Sequence, residues 1–137
     1  MLISSDLLLH FQRCRRRAFL DTYGDARRKA PSDNFLLKLR EDSQAYRDLE
    51  LANYHDYVQP QFTWGNWHDG ALQTLDAMRS GIECIYRGVL MTPWREDVEL
   101  VATPDLLVRV ETPSELGEWS YICKDIRFGK RPKLDYQ

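Results

Sequence analysis

The chain has 137 residues, 43% of them hydrophobic and 29% charged, with a formal net charge of −2. This is the length of one ordinary domain, with too much apolar content for a disordered chain. No stretch approaches a membrane span and no signal peptide follows Met1, so the expectation is a cytoplasmic protein with no membrane partner.

Ser4-Ser5-Asp6 offers helix N-caps, and Leu7, Phe11, Cys14 and Ala18 then recur at helical spacing. The spacing predicts one helix to about Thr22, stopped at Gly24. Residues 24–34 read as a loop, since they are rich in charge and contain Pro31. A second helix is predicted over 34–52. Leu36, Leu39, Ser43, Tyr46 and Glu50 lie along one side of it, and Leu37, Leu49 and Leu51 support its burial. The aromatic stretch 54–67 reads as mostly irregular. Its Trp64, Trp67, Tyr54 and Tyr57 either stack on unpaired bases or, as the favoured reading, close the core beneath a long loop. A third helix begins at Asn66 or His68, carries Ala71, Leu72, Leu75 and Met78, and stops at Ser80-Gly81. Three β-rich segments follow, at 82–91, 98–110 and 119–128, joined by turns at 93–97 and 113–118. The predicted fold is therefore α/β, more narrowly α+β. Its helical part covers about 1–81 and packs on a small, mainly antiparallel sheet over about 82–130, in one domain spanning 1–137.

Charge is unevenly placed. Residues 11–30 hold seven basic side chains and two acids, and residues 124–133 hold five and one. Either these are ordinary solvated faces, or they are phosphate-facing surfaces on which Arg13, Arg16, Lys130 and Lys133 give salt-sensitive binding to a nucleic-acid backbone. Cys14, Cys84 and Cys123 form no CxxC pair. Neither a zinc site nor a disulfide framework is signalled, and buried free thiols are the expectation. His10, His55 and His68 lack an i+3 or i+4 partner that would make a ligand pair.

Two acids carry the chemical signal. Asp105 interrupts the apolar run Val101-Ala102-Thr103-Pro104-Asp105-Leu106-Leu107-Val108, and Asp125 follows Tyr121-Ile122-Cys123-Lys124. Along a strand, residues i and i+2 share a face, so Asp125 and Arg127 lie together with Ile126 opposite. If the two strands are neighbours, Asp105 joins that face. Two carboxylates beside a cation suit a divalent metal acting on a phosphodiester. Alternatively, Arg127, Lys124 or Arg109 pairs with each acid in ordinary salt bridges.

These residues resemble the RecB-like branch of the PD-(D/E)XK nuclease superfamily, and most closely a group of bacterial nucleases related to those of CRISPR adaptation. Four segments carry the resemblance: Ser4 to Leu20 with Cys14-Arg15-Arg16, Lys38 to Arg47, Ala102 to Leu107 with Pro104-Asp105, and Tyr121 to Lys133 with Asp125-Ile126-Arg127. The resemblance implies a restriction-endonuclease-like core and a metal-dependent DNA nuclease. Asp105, Asp125 and the Ile126 carbonyl would hold Mg²⁺ or Mn²⁺, and Arg127 would act at the scissile phosphate. Arg127 stands where the family has lysine, and Tyr46 where it commonly has a metal-binding histidine. A Gln-x-x-x-Tyr helix is expected to begin near Gln137, so the core is read as incomplete at its C-terminus. In iron–sulfur relatives Cys14 would be the first of four ligands, but one cysteine holds no cluster, and a buried helical Cys14 is the expectation. The departures at Arg127 and Tyr46 keep a second reading open: a non-catalytic nucleic-acid-binding or partner-binding module derived from a nuclease.

Overall fold

The computed structural model describes residues 1–31 and 33–127, so Lys130, Lys133 and the expected C-terminal exit lie outside the described residues. The chain opens on a short strand, β1 (Leu2–Ser4), and turns directly into α1 (Ser5–Arg13). The Ser4 hydroxyl accepts the Leu7 N–H at 3.1 Å, which satisfies one of the free donors at the helix start.

The single helix expected to Thr22 is two helices, because the backbone at Cys14 is extended, with φ −159° and ψ 104°. The Cys14 N–H donates to the His10 carbonyl at 2.8 Å, while its own carbonyl accepts from Arg17 and Ala18. One residue thus ends α1 and begins α2 (Arg15–Tyr23). The apolar period runs unbroken across this corner, which is why the sequence conceals it. Cys14 is exposed at the corner rather than buried in a helix, and Cys123 is exposed too, leaving Cys84 as the buried thiol. The α1–α2 corner is pinned by Asp21. It faces His10 Nδ1 at 3.0 Å, Lys29 Nζ at 2.9 Å and Arg17 Nε at 3.6 Å. Gly24 does end α2, though not through a left-handed backbone. Its φ is −76°, and a Cβ there would lie 2.4 Å from the Leu20 carbonyl oxygen that its N–H bonds. A single 3₁₀ turn, Ala26–Arg28, follows in the expected loop.

Helix α3 (Asn34–Leu51) matches the predicted span and is capped by Asp33, whose carboxylate accepts the Phe35 N–H. Its burial differs from expectation. Leu51 is the buried residue, while Phe35, Leu36, Leu37, Leu39 and Leu49 are exposed. The helix is anchored through its C-terminal half. Leu51 packs with Cys84, Tyr86 and Leu106, and Gln44 Nε2 reaches the Tyr86 hydroxyl at 3.4 Å.

Between α3 and α4 (Trp67–Arg79) lies only a two-residue strand, β2 (Tyr57–Val58). Tyr54 packs against the core, as expected of the aromatic loop, but Tyr57 and Trp64 are exposed. Of the predicted α4 stripe, Ala71, Leu75 and Met78 are half-buried and Leu72 is exposed; the buried residues of the helix are Gly70 and Thr74. The reason is close backbone approach. A Cβ on Gly70 would sit 2.8 Å from both Phe62 and Val89. Thr74 Oγ1 then donates to the Gly70 carbonyl at 2.7 Å and accepts the Val89 N–H at 2.8 Å.

The first two predicted long strands each break in two. Residues 82–91 contain β3 (Cys84–Tyr86) and the start of β4 (Leu90–Arg95), and 98–110 divides into β5 (Val98–Ala102) and β6 (Leu106–Val110). The third, β7 (Ser120–Lys124), ends before Asp125, so Asp125, Ile126 and Arg127 follow the strand instead of alternating along it as predicted. The expected turn at 93–97 shrinks to Glu96-Asp97, with Pro93 and Trp94 inside β4. The breaks face each other: Arg87 has a left-handed φ of 51°, and its N–H donates to the Asp105 carbonyl at 2.9 Å. Pro104, lacking an N–H, cannot continue the ladder. The meander therefore bends over into two sheets, of order β1-β5-β4 and β2-β3-β6-β7. The pairings β4–β5, β3–β6 and β6–β7 are antiparallel, as expected; β1–β5 and β2–β3 are parallel, and each adds a strand, β1 or β2, from inside the predicted helical part. The described residues thus form an α+β fold, with four α-helices and two small mixed sheets. Cys84, Ile85, Tyr86, Val89, Val101, Leu106 and Leu107 form the buried centre. Among the described residues no helix is long and apolar enough to cross a membrane.

Candidate functional site

Asp105 stands at the break before β6, and Asp125 directly follows β7. The last paired residues of these antiparallel strands are Leu106 and Lys124. Asp105 and Asp125 each lie one residue beyond this last pair, and the Ile126 N–H, donating to Asp105 Oδ2 at 2.8 Å, ties the two segments together. Both acids line one cleft of about 770 Å³, together with Asp6, Arg40, Ser43, Gln44, Arg47, Arg87, Cys123 and Arg127. Both acids read from sequence thus lie on the wall of one cleft.

Each carboxylate also meets an arginine. Asp105, whose side chain is 14% exposed, accepts Arg47 Nε on Oδ1 at 3.0 Å and the Ile126 N–H on Oδ2 at 2.8 Å. Asp125 accepts Arg127 Nη2 on Oδ2 at 2.7 Å and is about half exposed. The salt-bridge alternative is realised for Asp125 with its expected partner. For Asp105 the cation comes from α3, whereas Arg109 is engaged by Glu111 at 2.9 Å and the Gly81 carbonyl at 3.1 Å. The Ile126 backbone ties the two acids together, lying one residue beyond Asp125 and bonded to Asp105.

A hard divalent cation held at these two carboxylates would be only partly enclosed by protein. A carboxylate offers about four lone-pair sites, so the two hydrogen bonds on Asp105 leave acceptor capacity. Ligating carboxylates are themselves commonly hydrogen-bonded. Mg²⁺ usually takes one or two carboxylates and completes its shell with water and substrate phosphate. Among the described residues no group of three or more His, Cys, Asp or Glu side chains is placed to hold an ion, so a closed protein cage is not what these residues build. Four arginines against three aspartates leave the cleft wall slightly cationic. Cys123, on the same wall, has its thiol pushed up from its ordinary value by partial loss of hydration, although the residue is exposed, and by the Asp125 charge, which favours the neutral thiol.

The other predicted residues divide. Tyr46 is half-buried on α3, beside the Arg47 that reaches Asp105. Arg13 and Arg16 are exposed on α1 and α2 and do not belong to the cleft wall. Sequence reasoning missed Arg40, Gln44, Arg47 and Arg87. The first three were findable, because Arg40, Ser43, Gln44 and Arg47 recur at i, i+3, i+4 and i+7 and mark a polar face on α3. Arg87 had no such signal, since its placement follows from a strand break. Compared with family models, curated proteins and solved structures, the chain has no match in any of the three.

Proposed function

We propose that the chain is a divalent-metal-dependent DNA nuclease of RecB-like type, with a restriction-endonuclease-like core. The observation that carries this reading is the meeting of Asp105, Asp125 and the Ile126 backbone at the adjoining ends of β6 and β7, inside an arginine-lined cleft. Asp105, Asp125 and the Ile126 carbonyl would hold Mg²⁺ or Mn²⁺, which supplies a water of lowered pKa and neutralises phosphate charge. Arg47 orients Asp105 through its Nε hydrogen bond. Arg127 stays protonated and therefore acts as a donor to the scissile phosphate, not as a base.

A second reading is favoured by the arginines on both carboxylates: a non-catalytic DNA-binding module, in which Arg47 and Arg127 neutralise the acids and the cleft merely holds the strand. One experiment separates the two. A labelled DNA strand is incubated with Mn²⁺ and either the native chain, Asp105→Ala or Asp125→Ala. The nuclease reading expects cleavage to fall at least about 100-fold in both variants, because the metal's contribution to the transition state is lost. Equal cleavage by all three chains, or no cleavage with DNA affinity intact in both variants and falling with salt, overturns the nuclease reading; the latter result supports the binding module.

A further inference from the structure

The arginines of the cleft are not equivalent. Arg47 and Arg127 are engaged by Asp105 and Asp125. Arg40 and Arg87 line the same cleft, and among the described residues neither side chain makes an ion pair or hydrogen bond. An exposed arginine needs no partner, and by itself this would mean little. Arg87, however, is held in place at a cost. Among the described residues it is the one non-glycine residue with a left-handed backbone, at φ 51°. Such a conformation is unfavourable for a side chain with a Cβ and persists only where surrounding structure enforces it.

The enforcement can be traced. The Arg87 N–H is bonded to the Asp105 carbonyl at 2.9 Å. The next residue, Gly88, is pressed so tightly that a Cβ there would lie 2.7 Å from Leu107 and 3.0 Å from Thr74. The following N–H, of Val89, is bonded to buried Thr74 Oγ1. The inner side of this turn is thus locked into the core, and the Arg87 side chain is left on the cleft side. A glycine would occupy the same backbone without strain, yet the position carries a guanidinium.

We propose that Arg87 and Arg40 form a phosphate-holding subsite in the cleft, separate from the acid pair, which grips the backbone of a DNA strand next to the Asp105–Asp125 centre. This rests on the nucleic-acid reading of the cleft for its ligand, but not on hydrolysis. Arginine suits the role because its planar fork donates two parallel hydrogen bonds to phosphate oxygens. Having no carboxylate to leave, these two guanidiniums meet an incoming phosphate without breaking an ion pair.

The test uses Arg87→Gly and Arg40→Ala in the full chain, with a labelled single-stranded DNA and inorganic pyrophosphate as separate probes and EDTA present throughout. Glycine removes the guanidinium while fitting the left-handed backbone, so Arg87→Gly is expected to raise the melting temperature by about 3 °C as strain is relieved. DNA affinity is expected to fall about 10-fold in each variant. In the double variant the salt dependence should flatten by about 1.4 in log–log slope, the value for two phosphate contacts on a single strand. Arg40→Ala, on an exposed helix face, gives the same readout should Arg87→Gly perturb the turn. Loss of pyrophosphate binding in the variants, with no DNA binding by the native chain, keeps the subsite and rejects the nucleic-acid reading. Native affinity and salt slope in both variants overturn the subsite, as does failure of the native chain to bind either probe.

Discussion

Asp21 and Thr74 show how single polar side chains hold this molecule together, one at the surface and one in the core. The Asp21 carboxyl is held below its ordinary value, first by the hydrogen bond from Lys29, against a smaller cost of lost hydration, and then by the charges of Lys29, His10 and Arg17. A depressed folded-state pKa stabilises the fold above the ordinary carboxylate range, and that contribution disappears as pH falls through the depressed value. Asp21→Asn removes the linkage, so the urea midpoint of the variant should change less between pH 7 and pH 3 than that of the native chain, with an unchanged m-value. Thr74 is 1% exposed and serves Gly70 and Val89 at once. Thr74→Val preserves shape but leaves the buried Val89 N–H without its acceptor. The expected loss is about 1–3 kcal/mol in urea unfolding, with Thr74→Ser losing less.

Among the elements, the two strand breaks lie on the cleft wall, and α4 packs against the turn at Gly88 without lining the cleft. The α4 backbone comes close to β4 because Gly70 has no side chain to hold it off. Gly70→Ala would place a methyl 2.8 Å from Phe62 and Val89, and is expected to destabilise by about 1–3 kcal/mol although alanine is the better helix former. A thermal melt checks the sign: propensity alone predicts a rise, packing a fall. At its other end α4 is clamped by the sheet, since Trp119 Nε1 donates to the Met78 carbonyl at 3.0 Å and the Tyr121 hydroxyl to the Ile82 carbonyl at 2.6 Å. With α4 fixed, the Arg87 and Thr103-Pro104-Asp105 breaks face one another, and the strands change sheets there. Helix α3 contributes Arg40, Gln44 and Arg47 to the cleft wall.

For the molecule as a whole, the proposed metal centre makes a prediction independent of turnover. A ligand that binds only the folded state raises its stability, by about 2.7 kcal/mol at 100 times the dissociation constant. Added Mn²⁺ should therefore raise the melting temperature of the native chain and leave Asp105→Ala and Asp125→Ala unshifted. No shift in the native chain would reject metal binding, whatever the cleavage assay gives.

Much of this was legible in the sequence, and what was not has physical causes. The spans of α3 and α4, the irregular stretch before α4 and the antiparallel pairing of the later strands follow from local periodicity and turn chemistry, which nearby residues settle among themselves; Asp125 and Arg127 do pair, but beyond the end of β7 and not by strand alternation. The Cys14 corner, the broken strands and the partner of Asp105 do not. A hydrophobic period is blind to a one-residue corner that keeps its hydrogen bonds, and a β-rich run does not say where it will change sheets. The ion pair between Arg47 and Asp105 spans 58 residues, a separation at which no sequence pattern links two side chains. Residue order alone marked Asp105 and Asp125 as acids set into β-rich runs; that Asp105 is met by Arg47 was settled only in three dimensions, where Leu51 and Gln44 anchor α3 beside Tyr86, because the spacing of distant segments depends on the core to which they are tied.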